Sequence, residues 1–273
     1  MSNELNSRLL AYESSIDSSQ YDYFRENYRR PVMKHVRCIR TGLLHREWVS
    51  GAPIIEEMTV EEHFRNIGIE KSFLGCDATT FNKLSFEVIN PWGFVGYQFG
   101  EELLMTLGYY KPKMIVKAGT TQSLPQHYSY IQGTEHWAKG VKRKVHQGLY
   151  GELSVTHVNE WKGVFTGKDG ARDFETLKSP CVQEAILKSS QLFNLRVLVN
   201  HFGLGELRSL IRQSSLLSWS GILASAHLCG AEGVKKYLVH RQLAVDELGT
   251  SLEQYLSKFH ELDCDISSLI SEL

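Results

Sequence analysis

Two acids and a glycine-rich turn carry the chemistry that this chain could do. Glu13 closes a run with Leu5, Leu9, Leu10 and Tyr12 at helical spacing, and Ser14-Ser15 follows it directly. Asp22 lies nine positions beyond Glu13, past a Ser-rich turn. Cleaving an acetal needs a proton donor at the leaving oxygen, and usually a second carboxylate that stabilises the cationic centre or activates water. A carboxyl in a partly apolar cleft keeps its proton near neutral pH, because burial disfavours the charged form. Far downstream, Asn90-Pro91-Trp92-Gly93-Phe94-Val95-Gly96-Tyr97-Gln98-Phe99-Gly100-Glu101 interleaves glycines with aromatics and one Gln. A turn of this kind presents backbone groups and a fixed amide side chain to an extended ligand. Tyr97 and Gln98 alternate in facing on a strand, so a bulge is needed to aim both at one groove.

These residues need elements to hold them. Apolar spacing predicts a helix over 3–13, broken by Ser14 to Ser19, which puts Glu13 at a helix C-terminus. Residues 23–57 read as irregular with short extended pieces, and Thr59-Val60-Glu61-Glu62 as the capped start of a helix. A further helix is expected near Asp77 or Thr79, a short strand or hairpin over 85–100, and a helix over 101–107 stopped by Gly108. Residues 111–133 read as a surface excursion, 135–147 as a basic amphipathic helix and Trp161 to Gly170 as a turn-rich loop. Helical patterns then run over 173–178, 180–201, 203–213, 216–228, 230–240 and 249–259, with a terminal helix or fraying end over 261–273. No internal repeat is present, so the expected fold class is α+β, predominantly α-helical, in one domain.

Composition bounds the classes. The chain has 273 residues, 42% hydrophobic and 22% charged, with a net charge of -1, as in an ordinary globular protein large enough for a core without staples. No apolar run is long enough to cross a bilayer, and Met1 to Asn6 carries no Sec-type signal. Cys38, Cys76, Cys181, Cys229 and Cys264 are odd in number and widely spaced, which fits a reducing compartment and mostly buried or inert thiols. Arg25 to Arg46 holds seven Lys/Arg against Glu26 alone, a stretch that either favours an anionic partner, nucleic acid or a partly anionic cell-wall polymer, or is simply a solvated loop; the glycine-aromatic turn gives nucleic acid no support, so neither nucleic acid nor stable membrane insertion is expected.

Taken together, Glu13-Ser14-Ser15, Asp22 and the Gly93 to Gly100 turn resemble the lysozyme-like superfamily, nearest to the phage-type muramidase domains of phage lysins and type VI secreted antibacterial effectors. Trp161 to Gly170, Ser220 to Leu228, Gly233 to Leu238 and Gly249 to Phe259 extend the resemblance, which covers about 5–22 and 86–260. It implies a lysozyme-like domain over 1–273 with a small β-hairpin at the active-site cleft and an insertion over 23–85. It implies a peptidoglycan glycosidase acting on the β-1,4 bond between N-acetylmuramic acid and N-acetylglucosamine. Glu13 is then the general acid and Asp22 the second acid, while Gly93, Gly96, Tyr97 and Gln98 line the glycan groove. The same resemblance allows a lytic transglycosylase on that bond, or a cell-wall-binding module without activity. It also implies synthesis in the cytoplasm, action in the periplasm or on the cell wall after secretion or phage-mediated release, and a cognate immunity protein as partner.

If 23–85 is not an insertion, Glu61, Glu62 or Glu87 could instead be the acid, being closer to Gly93. Glu87 falls on the expected strand, and Glu61-Glu62 lack the following Ser. Trp161 and Trp137 could stack on sugar rings or pack in the core. Gly203-Leu204-Gly205-Glu206 lacks the third glycine of a dinucleotide loop. No C-x-x-C or H-E-x-x-H occurs, so no catalytic metal and no cofactor is expected. Cys76 or Cys181 as a nucleophile has no recognisable motif around it.

Overall fold

The structure is a computed structural model that describes residues 4–36, 45–46, 54–90, 93–116, 121, 123–125, 130–132, 135–138, 141–144, 153–154, 161–246 and 249–273. It is α+β and predominantly helical, as the sequence leads one to expect. The chain divides into two compact units, a terminal one of Met1–Tyr12 and Glu184–Leu273 and a central one of Glu13–Gln183.

In the central unit the end of α1 (Glu4–Ser14) leads through a 3₁₀ turn into α2 (Tyr21–Glu26). Asp17 caps that turn in a reciprocal box with Gln20. The stretch expected to be irregular from residue 23 thus begins as helix: Phe24 is buried and supplies the apolar anchor that stabilises so short an element. The strands β1 (Met33–Val36), β2 (His45–Arg46) and β3 (Ile55–Met58) follow, with β1 and β3 antiparallel in the register Met33 opposite Met58. Thr59 then caps α3 (Val60–Asn66) as expected, its hydroxyl accepting the Glu62 N–H while the Glu62 carboxylate accepts the Thr59 N–H. α4 (Glu70–Gly75) and a 3₁₀ stretch over Phe81–Phe86 complete this part.

No α-helix starts at Asp77. Its carboxylate instead accepts the N–H groups of Thr79 and Thr80 and their hydroxyls, closing a turn. Those bonds, led by the Thr79 and Thr80 hydroxyls, hold the Asp77 carboxyl down at about 2. Because the folded value lies below the unfolded one, this carboxylate stabilises the fold above the ordinary Asp range and the contribution is lost as pH falls through about 2. The melting temperature of Asp77→Asn should therefore lie below wild type at pH 6 and converge on it by about pH 2. A gap independent of pH would remove the charge from the account.

Ile16, Phe24, Val60, Phe64, Ile67, Ile69, Phe73, Phe81, Leu84 and Val88 form one buried core. Its aromatics meet edge-on, Phe64 and Phe73 at 4.7 Å between centroids. Residues 23–85 therefore contain most of a hydrophobic core. α5 (Glu101–Thr106) ends where Gly108 adopts φ 79°. β4 (Tyr110–Lys111), β5 (Met114–Val116), β6 (Ser123–Pro125), β7 (Tyr130–Gln132), β8 (Glu135–Ala138), β9 (Val141–Lys144), β10 (Leu153–Ser154) and β11 (Val164–Phe165) come next. They pair antiparallel as β5 with β6, β7–β8–β9, β10 with β2, and β11 with β4.

Strands β8 and β9 replace the amphipathic helix expected over 135–147, of which 139–140 and 145–147 lie outside the described residues. The register sets Ala138 opposite Val141. Two residues, one a glycine, then separate the strands in sequence, which is a hairpin spacing.

After α6 (Phe174–Leu177), the remaining helices α7 (Pro180–Phe202), α8 (Leu204–Gln213), α9 (Trp219–His240), α10 (Leu252–Lys258) and α11 (Ile266–Ser271) follow the expected spans. In the terminal unit, Leu198, Leu207, Leu217, Ile222, Val234 and Leu256 share a core. α9 breaks at Gly230, φ 68°, where Asn194 Oδ1 accepts the Ala231 N–H at 3.0 Å. Burial pushes the Cys229 thiol up to about 11, which keeps it inert, whereas Cys181 is exposed. Cys38 lies outside the described residues. Among the described residues no helix is long and apolar enough to cross a membrane.

Candidate functional site

α1 stops where the sequence breaks it. Ser14 is buried and its hydroxyl accepts the Ile16 N–H at 3.2 Å, Ser15 turns through φ 57°, and Ile16 drops into the core. This local geometry fixes Glu13, half-buried, in the last turn of the helix.

The glycine-rich segment folds back on itself with a single bridge, Ile89 to Val95, in place of the strands of a full hairpin. Asn90 N–H donates to Phe94 O at 2.8 Å and Phe94 N–H to the Asn90 side chain at 2.9 Å. The Asn side chain thus does locally what a longer ladder would otherwise do. Ile89 N–H donates to Ile67 O and Gly96 N–H to Val88 O, each at 2.9 Å, tying the turn to the aromatic core.

Beyond the bridge Gln98 adopts φ 64°, a left-handed conformation rare for a residue with a Cβ. Its Nε2 donates to the Glu13 carbonyl at 3.3 Å and to the Gly96 carbonyl at 3.1 Å. Its Oε1 is buried and takes no hydrogen bond among the described residues. A buried acceptor without a donor costs about 1–3 kcal/mol, so the Gln98 amide is held in this place against a penalty. Gln98, Gly96 and the helix-end Glu13 are thereby brought together from positions 85 residues apart.

Three expected site residues stand elsewhere. Asp22 is exposed in the first turn of α2 and takes no part in these hydrogen bonds. The Tyr97 ring is buried, stacked on Phe99 at 5.6 Å and edge-on to Phe86 at 6.1 Å, so it serves the core and lines no groove. A sharp turn with positive φ at both Gly96 and Gln98 sends the Tyr97 side chain inward. Gly93 is buried too, and its carbonyl accepts the Trp161 indole N–H at 2.7 Å.

Trp161 is in turn boxed by Phe94, Tyr110, Phe165 and Phe174. It clasps the turn as part of the packing, the second of the two roles expected for it; the side chain of Trp137 lies outside the described ones. Beside it the Tyr110 hydroxyl accepts the Gly163 N–H, and burial followed by its hydrogen bond to the buried Glu101 pushes that phenol well above its ordinary range. It is neutral at any ordinary pH.

The alternative acids are engaged in local structure. Glu61 pairs with Arg65 at 3.1 Å, Glu62 closes the Thr59 cap, and Glu87 accepts the Ser72 hydroxyl at 2.7 Å. Among the described residues no group of three His, Cys, Asp or Glu converges to hold a metal.

One residue that the motifs do not reveal belongs here. Gln183, fully buried in the first turn of α7, accepts the Tyr97 N–H on Oε1 at 3.1 Å and donates from Nε2 to Phe86 O at 2.7 Å. Its one sequence signal is a polar residue on a stripe that otherwise continues with Ile186 and Leu187. Comparison of the chain with protein-family models, with curated proteins and with solved structures finds no match.

Proposed function

We propose that this chain is a lysozyme-like peptidoglycan glycosidase that cleaves the β-1,4 bond between N-acetylmuramic acid and N-acetylglucosamine. The observation that carries the reading is the hydrogen bond from Gln98 to the carbonyl of Glu13, which sets a helix-terminal acid against a strained, glycine-flanked turn. Glu13 protonates the glycosidic oxygen as the bond breaks. Gln98 and the backbone around Gly96 hold the glycan on the facing side. Asp22 activates water or stabilises the cationic centre where the substrate brings it within reach. In a transglycosylase the muramic acid hydroxyl attacks instead, and Asp22 is dispensable. The protein acts on the cell wall after secretion or phage-mediated release, with glycan strands as its partner and a cognate immunity protein as its inhibitor.

The test is mass spectrometry of muropeptides released from purified Gram-negative sacculi. Soluble disaccharide peptides with reducible ends are the expected product. Ends of the 1,6-anhydro type make the enzyme a transglycosylase, and binding to sacculi with no release leaves a cell-wall-binding module.

A further inference from the structure

We propose that Gln183 is a positioning residue that holds the Gln98 turn against the Glu13 end of α1; the proposal rests on the glycosidase reading of that site. Four observations converge on its amide. It is fully buried, and both of its polar atoms are used: Oε1 for Tyr97 N–H at 3.1 Å and Nε2 for Phe86 O at 2.7 Å. Those two backbone groups belong to opposite limbs of the glycine-rich fold, one entering it and one leaving it. Gly96, φ 56°, lies directly on the amide, since a Cβ there would fall 1.9 Å from Gln183 Oε1 and 2.7 Å from Nε2. The residue directly after Tyr97 is Gln98, whose own amide reaches the Glu13 carbonyl.

The Gln183 amide bridges the Phe86 carbonyl and the Tyr97 N–H, joining two limbs that share the single bridge Ile89 to Val95. It touches neither substrate nor acid. It acts by keeping the Gln98 side chain, and through it the facing wall, in register with the residue that donates the proton. Misplacing a facing group by about 1 Å costs as much as 10²-fold in rate. Without the amide the turn still connects, but the Phe86 carbonyl and the Tyr97 N–H lose their partners and Gln98 is free to leave Glu13.

The experiment measures kcat and KM for Gln183→Ala and Gln183→Glu on soluble glycan oligomers at pH 5 and pH 8, beside wild type and Glu13→Gln. It also follows the Gln98 side-chain amide and the Tyr97 N–H by ¹⁵N NMR, which needs no activity. Gln183→Ala should lower kcat by about 10- to 100-fold with KM within about twofold, and should shift or broaden both signals. Gln183→Glu keeps the volume, and only its protonated form can both accept from Tyr97 and donate to Phe86. Its kcat relative to wild type should therefore rise from pH 8 to pH 5, which a loss of stability alone would not produce.

If Gln183→Ala fails to fold, Gln183→Glu at the two pH values decides. Wild-type kcat in Gln183→Ala with the Gln98 signal unmoved overturns the proposal, as does a change in KM alone. If wild type itself cleaves nothing, the glycosidase reading fails separately. The NMR arm still decides whether Gln183 holds the turn: moved signals uphold that part and unmoved ones reject it.

Discussion

Glu13→Gln should release soluble muropeptides from sacculi at least about 10³ times more slowly than wild type, with an unchanged fold. The size follows from what is removed. A positioned general acid contributes about 10² to 10⁴ in rate, and a carboxamide of the same shape has no proton to give at any working pH. The unchanged fold follows from the contact that places residue 13. Gln98 donates to its backbone carbonyl, and the helix ends there through Ser14 and the positive φ of Ser15, neither of which involves the carboxyl. The variant should therefore keep wild-type circular dichroism and still sediment with sacculi. Release at the wild-type rate would move the acid elsewhere. Glu61, Glu62 and Glu87 would then have to act from positions already held by Arg65, Thr59 and Ser72.

The parts of this site that depend on local rules were legible in the sequence. A Ser pair after an apolar helix predicted its stop, and a glycine before an apolar run predicted the start of α5. A Thr-x-x-Glu box placed α3 to within a residue of its observed start. The long helices α7 to α9 showed themselves through sustained apolar spacing, and the break in α9, at Gly230, falls at the first residue of the second of the two helices expected there. What failed was decided by long-range contact. The stretch 135–144 is basic and carries its apolar residues at spacings that serve a helix or a strand equally well, and pairing of β8 with both β7 and β9 decides between them. Tyr97 was expected in the groove on the assumption of a pleated strand, but two left-handed residues around it leave no strand to alternate. Gln183 carries no motif because its partners are backbone groups 86 and 97 positions away, and nothing in a backbone amide is written in the sequence.

Gly96→Ala should cost the fold about 3–5 kcal/mol, measured as the shift in urea midpoint at constant slope. Two terms add. Forcing a Cβ into φ 56° costs about 1–2 kcal/mol at any alanine. The new methyl would also stand 1.9 Å from Gln183 Oε1, so the buried amide must leave, and its two backbone partners each lose a hydrogen bond worth about 1 kcal/mol or more. Gly108 supplies the control: it has φ 79° with nothing within 4 Å of a built Cβ, so Gly108→Ala should show the backbone term alone. The second term can be isolated directly. In a Gln183→Ala background the obstacle is gone, and adding Gly96→Ala should cost only about 1–2 kcal/mol. Equal costs in the two backgrounds would mean that the glycine is there for its backbone freedom and not to seat the amide. A smaller cost in the second background shows that the left-handed turn and the buried Gln form one device, in which the absent side chain at position 96 makes the room that the amide at position 183 occupies.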